Sequence, residues 1–221
     1  MRINAGLIDK AISEQQRQSS LTVDLSNPRV VNNLKWQFMR KAKEMCPEFS
    51  VTKELRPTLN ALFNWCVMLP AQLNPHKGLW LWGNIGTGKT TMLKIIRAFC
   101  NEVRPIDIEG RRYSFRITPV GDVCRDFMDK NYMGVQDYID SNRQAFDDLG
   151  VEPQPLSYYG TMVNVMEYVL LARYERRDVA FTHVTSNLSP KQVGQMYGMR
   201  VYDRAKEMFN FVEMAGATFR T

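Results

Sequence analysis

Residues that staple or ligate are scarce in this sequence: 221 residues hold four cysteines and two histidines, with no C-x-x-C pair. Cys46, Cys66, Cys100 and Cys124 are scattered, and only His76 and His183 could join them as soft ligands, which argues against a structural zinc site. Cys66 and Cys100 fall on apolar helical patterns, where cysteine behaves as a small core hydrophobe, so disulfides are not needed. No apolar run reaches the ~18 residues that a spanning helix requires. Met1 to Lys10 has a single Arg2 and no long apolar core behind it, so a secretory leader is not expected. These absences point to a soluble, cytoplasmic protein without a membrane partner. Neither sign of charge dominates: 29 Lys and Arg face 23 Asp and Glu, and the excess of +6 suits a polyanionic partner without demanding one. There is no internal repeat and no low-complexity segment.

What remains, with 44% hydrophobic and 24% charged residues, is the composition of an ordinary globular domain. Residues 1 to about 26 are polar and rich in Gln and Ser, and read as an arm. Asn27-Pro28 supplies a cap and a first-turn proline, after which Val31, Leu34, Phe38 and Ala42 recur at helical spacing opposite Lys35, Arg40 and Lys43. A second helix is predicted from about Thr52 to Leu69. From Gly78 the pattern alternates. Strands are predicted at 79–82, 113–118, 144–147, 179–185 and 210–213, and helices at 90–100, 120–130, 159–176, 190–197 and 201–208. Strands separated by helices imply right-handed crossovers and a mainly parallel sheet in an α/β fold. The expected organisation is an amino-terminal arm and amphipathic helix over 1–50 and one α/β domain over 51–221.

The strand Leu79-Trp80-Leu81-Trp82 runs into Gly83-Asn84-Ile85-Gly86-Thr87-Gly88-Lys89-Thr90, which fits G-x-x-x-x-G-K-[ST] and opens a helix through Thr91. That context is the one a phosphate-binding loop requires. Its glycines let consecutive N–H groups turn around phosphate oxygens, and the following helix adds the field of its positive end. Lys89 is expected on the β- and γ-phosphates of ATP, and Thr90 on Mg2+. Residues Gly83 to Thr91 are thus the candidate nucleotide contacts.

A second strand must bring a carboxylate to the metal, and Phe146-Asp147-Asp148-Leu149-Gly150 is the best candidate. Asp147 would hold the magnesium through water, and Asp148 would orient and deprotonate the attacking water. The residues before them, Asn142-Arg143-Gln144-Ala145, are more polar than a buried strand should be. The alternative is a surface turn before Gly150. The strand ending Thr185-Ser186-Asn187 offers an amide that could report on the γ-phosphate; alternatively Asn187 or Ser189 simply caps the helix that begins at Pro190.

Taken in order, Gly83 to Thr90, Phe146 to Gly150, Thr185-Ser186-Asn187-Leu188-Ser189 and Gly198-Met199-Arg200-Val201-Tyr202-Asp203-Arg204 resemble the DnaC-type helicase loaders and the related IstB transposition ATPases of the AAA+ class. The resemblance covers about residues 70 to 221. It implies a three-layer P-loop NTPase with a five-stranded sheet and a central P-loop strand. It further implies Mg2+-dependent ATP hydrolysis, with Walker A, Walker B and sensor 1 on the first three segments. The fourth would carry an arginine finger that reaches the ATP of the next copy in a head-to-tail assembly. Arg204 matches that position and Arg200 is a second candidate; on its own helix either could instead pair with Asp203 or Glu207. The sequence stops soon after this segment, so no helical lid is expected. A replicative helicase or a transposase is the implied partner. The amino-terminal segment lacks the cysteine cluster that some loaders carry.

Members of that family act on single-stranded DNA or on DNA-bound complexes. Arg125, Phe127, Lys130, Tyr132 and Tyr138, with Tyr158 and Tyr159, could stack bases and track phosphates; Phe127 could as well be core. A small-molecule kinase would have a similar length but needs an arginine-rich lid. A scaffold without useful turnover is the third reading.

Overall fold

The computed structural model describes residues 24–69, 71–104, 113–153, 155–158 and 161–215. The arm expected over 1–26 therefore lies almost wholly outside the described residues, as does Tyr159.

Helix α1 (Pro28–Met45) starts as its sequence signals: the Asn27 side chain accepts from the Arg29 N–H at 3.0 Å, and Pro28 fills the first turn. It buries Leu34, Phe38 and Ala42. Helix α2 (Leu55–Cys66) is shorter at both ends than predicted, because Thr52 accepts from the Leu55 N–H at 3.2 Å and so marks its start, while Met68 takes a positive φ of 62° just beyond its end. Strand β1 (Gly78–Trp82) and helix α3 (Lys89–Val103) follow, then β2 (Arg116–Pro119), α4 (Val120–Lys130), α5 (Tyr132–Asp140) and β3 (Arg143–Leu149). A hairpin of β4 (Leu156–Tyr158) and β5 (Thr161–Val163) precedes α6 (Val165–Glu175). Strand β6 (Phe181–Ser186), helices α7 (Pro190–Tyr197) and α8 (Met199–Met208) and strand β7 (Phe209–Glu213) complete the order.

Five strands pair in the order β2-β3-β6-β1-β7, every pair parallel. The midline falls on β6, so β1, expected to be central, is an inner strand flanked by β6 and β7. Alternation along β1 sorts the two sides of the sheet. Leu79 and Leu81 join one apolar cluster with α1, α2 and α3, whereas Trp80 and Trp82 join another with α4 through α8. The result is helix layer, sheet, helix layer. Gly78 allows β1 to approach β6, since a Cβ there would lie 1.7 Å from the Thr182 carbonyl oxygen.

Three differences from the sequence reading have local causes. The helix predicted from 159 begins only at Val165, where Asn164 accepts from the Glu167 N–H at 3.2 Å; Thr161–Val163 before it are extended as β5. The helix α5 was not expected at all. Asn131, at a positive φ of 58°, ends α4, and its side chain accepts from the Tyr132 N–H at 2.8 Å to start the next helix at once. The polar residues of β3 are accommodated because Gln144, fully buried, donates to Thr118 Oγ1 at 2.8 Å and accepts from Arg116 Nε at 3.3 Å.

Two buried polar side chains tie the layers to the sheet. Arg173 on α6 is fully buried and spreads its guanidinium over Thr182 Oγ1 and the carbonyls of Tyr138, Ser141 and Phe181 at 2.5–3.1 Å. Burial, and secondarily Arg176, pull its pKa down to about 10. His183 accepts the Leu79 N–H on Nδ1 at 3.2 Å, which leaves the proton on Nε2, 3.0 Å from the Tyr113 hydroxyl. A second ring proton would collide with the Leu79 donor. Burial first, then the charges of Arg104 and Arg173, lower its pKa from 6.5 to about 3. The unfolded chain thus binds a proton near pH 6.5 that the folded chain refuses until about pH 3. Between these limits stability falls as pH falls, by up to about 1.4 kcal/mol per unit. Urea unfolding at about pH 7 and about pH 5 measures the slope, which His183→Asn should flatten.

Candidate functional site

The glycine loop joins β1 to α3 at the carboxyl end of the sheet. Gly86 and Gly88 have φ of 84° and 80°, the left-handed region that lets successive amides face one centre. Gly83 has φ of 145°, and a Cβ there would lie 2.8 Å from the Met214 carbonyl oxygen. The Thr87 hydroxyl donates to the Asn84 carbonyl at 2.9 Å and pins the turn. Ile85 projects into solvent.

Lys89 is only 5% exposed. Its ammonium donates to the carbonyls of Gly83 and Asn84 and to Asn187 Oδ1, each at 2.8 Å. Asn187 follows β6, next to β1 in the sheet, so strand pairing delivers it to the lysine. Thr90 donates to Asp147 Oδ1 at 2.9 Å, and the Thr185 hydroxyl donates to the same oxygen at 2.5 Å. Three strand ends thus meet at one place: β1 with its loop, β3 with Asp147, and β6 with Thr185 and Asn187.

Asp147 and Asp148 differ in backbone as well as in position. Asp147 is buried, whereas Asp148 is exposed with φ of 60°, and the β3–β6 register shifts between Phe146 and Leu149. This bulge turns Asp148 out of the strand's alternation. Its N–H donates to Thr185 Oγ1 at 2.8 Å, so Thr185 holds both acids, one through each side of its hydroxyl. The loop beyond is anchored as well: Ser186 donates to the Leu149 carbonyl at 2.6 Å, and Glu152 accepts from the Gly150 N–H at 2.8 Å and from the Tyr197 hydroxyl.

Arg200 and Arg204 stand apart from this cluster, on α8. Arg200 is exposed. Arg204 lies over the Tyr174 ring at 5.1 Å and donates to the Arg200 carbonyl at 3.4 Å. Neither acid on its own helix holds it: Asp203 pairs with Lys206 at 2.8 Å, and Glu207 accepts from Tyr174 at 2.7 Å. Of the aromatic residues considered for bases, Phe127 and Tyr138 are buried, and burial first, then Asp126, raise the Tyr138 pKa to about 12. Tyr132 is half-exposed.

Sequence reasoning missed one feature beside the loop. Cys46, Phe49, Met92 and Met214 line a small apolar pocket against Thr87, Gly88 and Thr91. Phe49 and Met214 come from opposite ends of the chain, so no local pattern could have joined them.

No protein-family model matches the sequence, and no curated protein matches it. Solved structures share this fold, a five-stranded parallel sheet between two helix layers. The chain is similar to a crystal structure of DnaI, at 19% identity over 80% of this chain and 93% of that one, with a TM-score of 0.57. It is equally similar to the DnaC helicase loader, at 20% identity over 77% of this chain and 96% of that one, with a TM-score of 0.57. A DNA replication initiation factor follows at 12% identity, over 76% of this chain and 48% of that one, with a TM-score of 0.51. At such identities the likeness is one of fold.

Thr185→Val tests the hydroxyl at the centre of the cluster. It keeps the shape, removes the donor to Asp147 and strands the Asp148 N–H, so unfolding free energy should drop by about 1–3 kcal/mol in urea titration.

Proposed function

We propose that this chain is a magnesium-dependent ATPase switch of the helicase-loader type. The observation that carries the reading is the buried Lys89 ammonium, shared between the loop carbonyls and Asn187 while Thr90 and Asp147 bond each other next to it. A lysine that touches both the phosphate loop and an amide on a neighbouring strand makes the amide's position depend on what fills the loop.

The residues fit the nucleotide and the ion. Left-handed glycines open the amide cradle, and a hydroxyl and one carboxylate are the sparse oxygen donors that magnesium takes beside phosphates and water. When bound, magnesium-ATP would supply the phosphoryl group and a divalent charge that offsets its negative oxygens. In this reading Lys89 turns its ammonium from the Gly83 and Asn84 carbonyls to phosphate oxygens. Thr90 and Asp147 hold the ion. Asp148, set outward by the bulge, orients the attacking water and takes its proton. Asn187, which now accepts from Lys89, would then be free to bond a phosphate oxygen. Arg204 or Arg200 acts on the nucleotide of the next copy.

The likeness to a helicase loader supports a partner in replication, and the net charge of +6 supports single-stranded DNA near it. Co-purification of the tagged chain with a replicative helicase is expected; capture of a transposase instead would redirect the reading to a transposition helper.

Lys89→Ala should weaken ATP binding at least ~10-fold, whereas Asp148→Asn should retain binding and lower turnover by ~10² to 10⁴. Arg204→Ala should leave nucleotide binding intact and depress hydrolysis only in the assembled state, by up to ~10³. Nucleotide titration and phosphate release measure both; Asp148→Asn at full turnover would refute the water-activating role.

A further inference from the structure

Helix α1 is basic on its outer side. It carries five basic side chains and one acidic, with Arg40 and Lys41 each paired to Glu44 and to Glu102 of α3, and Arg29, Lys35 and Lys43 adding to the positive charge. Arg29, Trp36, Arg40 and Lys43, spaced by seven, four and three residues, share one stripe of the helix. Trp36 is 61% exposed, with the Arg40 guanidinium 5.4 Å from its ring. A large aromatic ring held at the surface by a cation is a feature of contact surfaces, where aromatic residues and arginine are enriched.

The opposite helix layer carries a complementary patch. From Val120 to Asp140, α4 and α5 hold five acidic side chains and two basic, in a chain whose total is +6. Asp122 is paired with Arg125 and Asp140 with Arg176, while Asp126 accepts from Tyr138; Asp129 and Asp137 face solvent. Met128, Tyr132 and Met133 are exposed at the same helix junction, Met133 at 78%. An acidic, methionine-rich patch repels a phosphate backbone and accepts a basic, aromatic one.

We infer that the α1 stripe of one copy docks on the α4–α5 junction of a second copy. The two surfaces belong to opposite layers, since α1 packs with α3 and α4–α5 pack with α8. A contact between different surfaces is heterologous and propagates into a ring or a filament. Copies that each carry +6 repel unless complementary surfaces meet, which selects this contact over random association. The same contact sets the layer bearing Arg200 and Arg204 against the layer bearing the glycine loop. That last consequence rests on the proposed ATPase; the docking does not.

The test reverses charge on each side separately, in the full chain, at positions outside the nucleotide site. Arg29→Glu with Lys43→Glu makes one variant, and Asp129→Lys with Asp137→Lys makes the other. In sedimentation velocity without nucleotide turnover, the wild-type chain should associate with rising concentration and dissociate as salt is raised. Each variant alone should associate at least ~10-fold more weakly, because the attraction between its two surfaces is removed. An equimolar mixture of the two should recover association as pairs, since the unaltered α1 stripe of one variant meets the unaltered α4–α5 junction of the other. Variants that associate like the wild type, or a mixture that stays monomeric, would overturn the proposal. So would quenching of Trp36 fluorescence by a single-stranded oligonucleotide with the chain monomeric, which assigns the stripe to nucleic acid. Loss of ATP hydrolysis with intact recovery in the mixture would sink the ATPase reading and leave the docking standing.

Discussion

A lysine taken out of water dictates the arrangement of the candidate site. An ammonium has three donors, and a buried charge is tolerated only where each finds an acceptor. Lys89 finds them in two loop carbonyls and the Asn187 amide oxygen, at equal distances of 2.8 Å. These acceptors carry no charge of their own. The third acceptor comes from a different strand, so the lysine can be satisfied only when β1 and β6 are neighbours.

The same dependence on strand order governs the two acids. Consecutive residues of a regular strand face opposite sides of the sheet. Asp147 and Asp148 could not both serve one site on such a strand. The bulge removes the conflict, and its cost is a left-handed φ at a residue with a side chain, of order 1 kcal/mol. Thr185 offsets that cost by accepting the Asp148 N–H while its own proton goes to Asp147. One hydroxyl thus fixes the difference between a buried carboxylate and an exposed one.

The glycine loop was legible in the sequence because each of its requirements is local: a strand before it, glycines within it, a helix after it. The sheet was legible because alternating apolar segments leave few ways to stack. The bulge was not, since nothing in Phe146-Asp147-Asp148-Leu149 distinguishes a regular strand end from an irregular one. Gln144 misled for a related reason: a buried amide reads as surface until its partners Thr118 and Arg116, more than 25 residues away, are known. Helix α5 escaped because Asn131 both ends one helix and begins the next, and a single asparagine carries no sign of doing two things. The apolar pocket beside the loop unites residues 49 and 214, a distance in sequence that no window spans.

Alternation along β1 has a consequence beyond the core. Leu79 and Leu81 draw in the helix that follows the glycine loop, and Trp80 and Trp82 draw in α8. The phosphate loop's helix and the arginine-bearing helix therefore lie on opposite sides of one sheet. Arg204 meanwhile rests on Tyr174, a partner that holds the guanidinium by its flat face and leaves its charge uncompensated by either acid of its helix. Within one chain the sheet stands between the two helix layers.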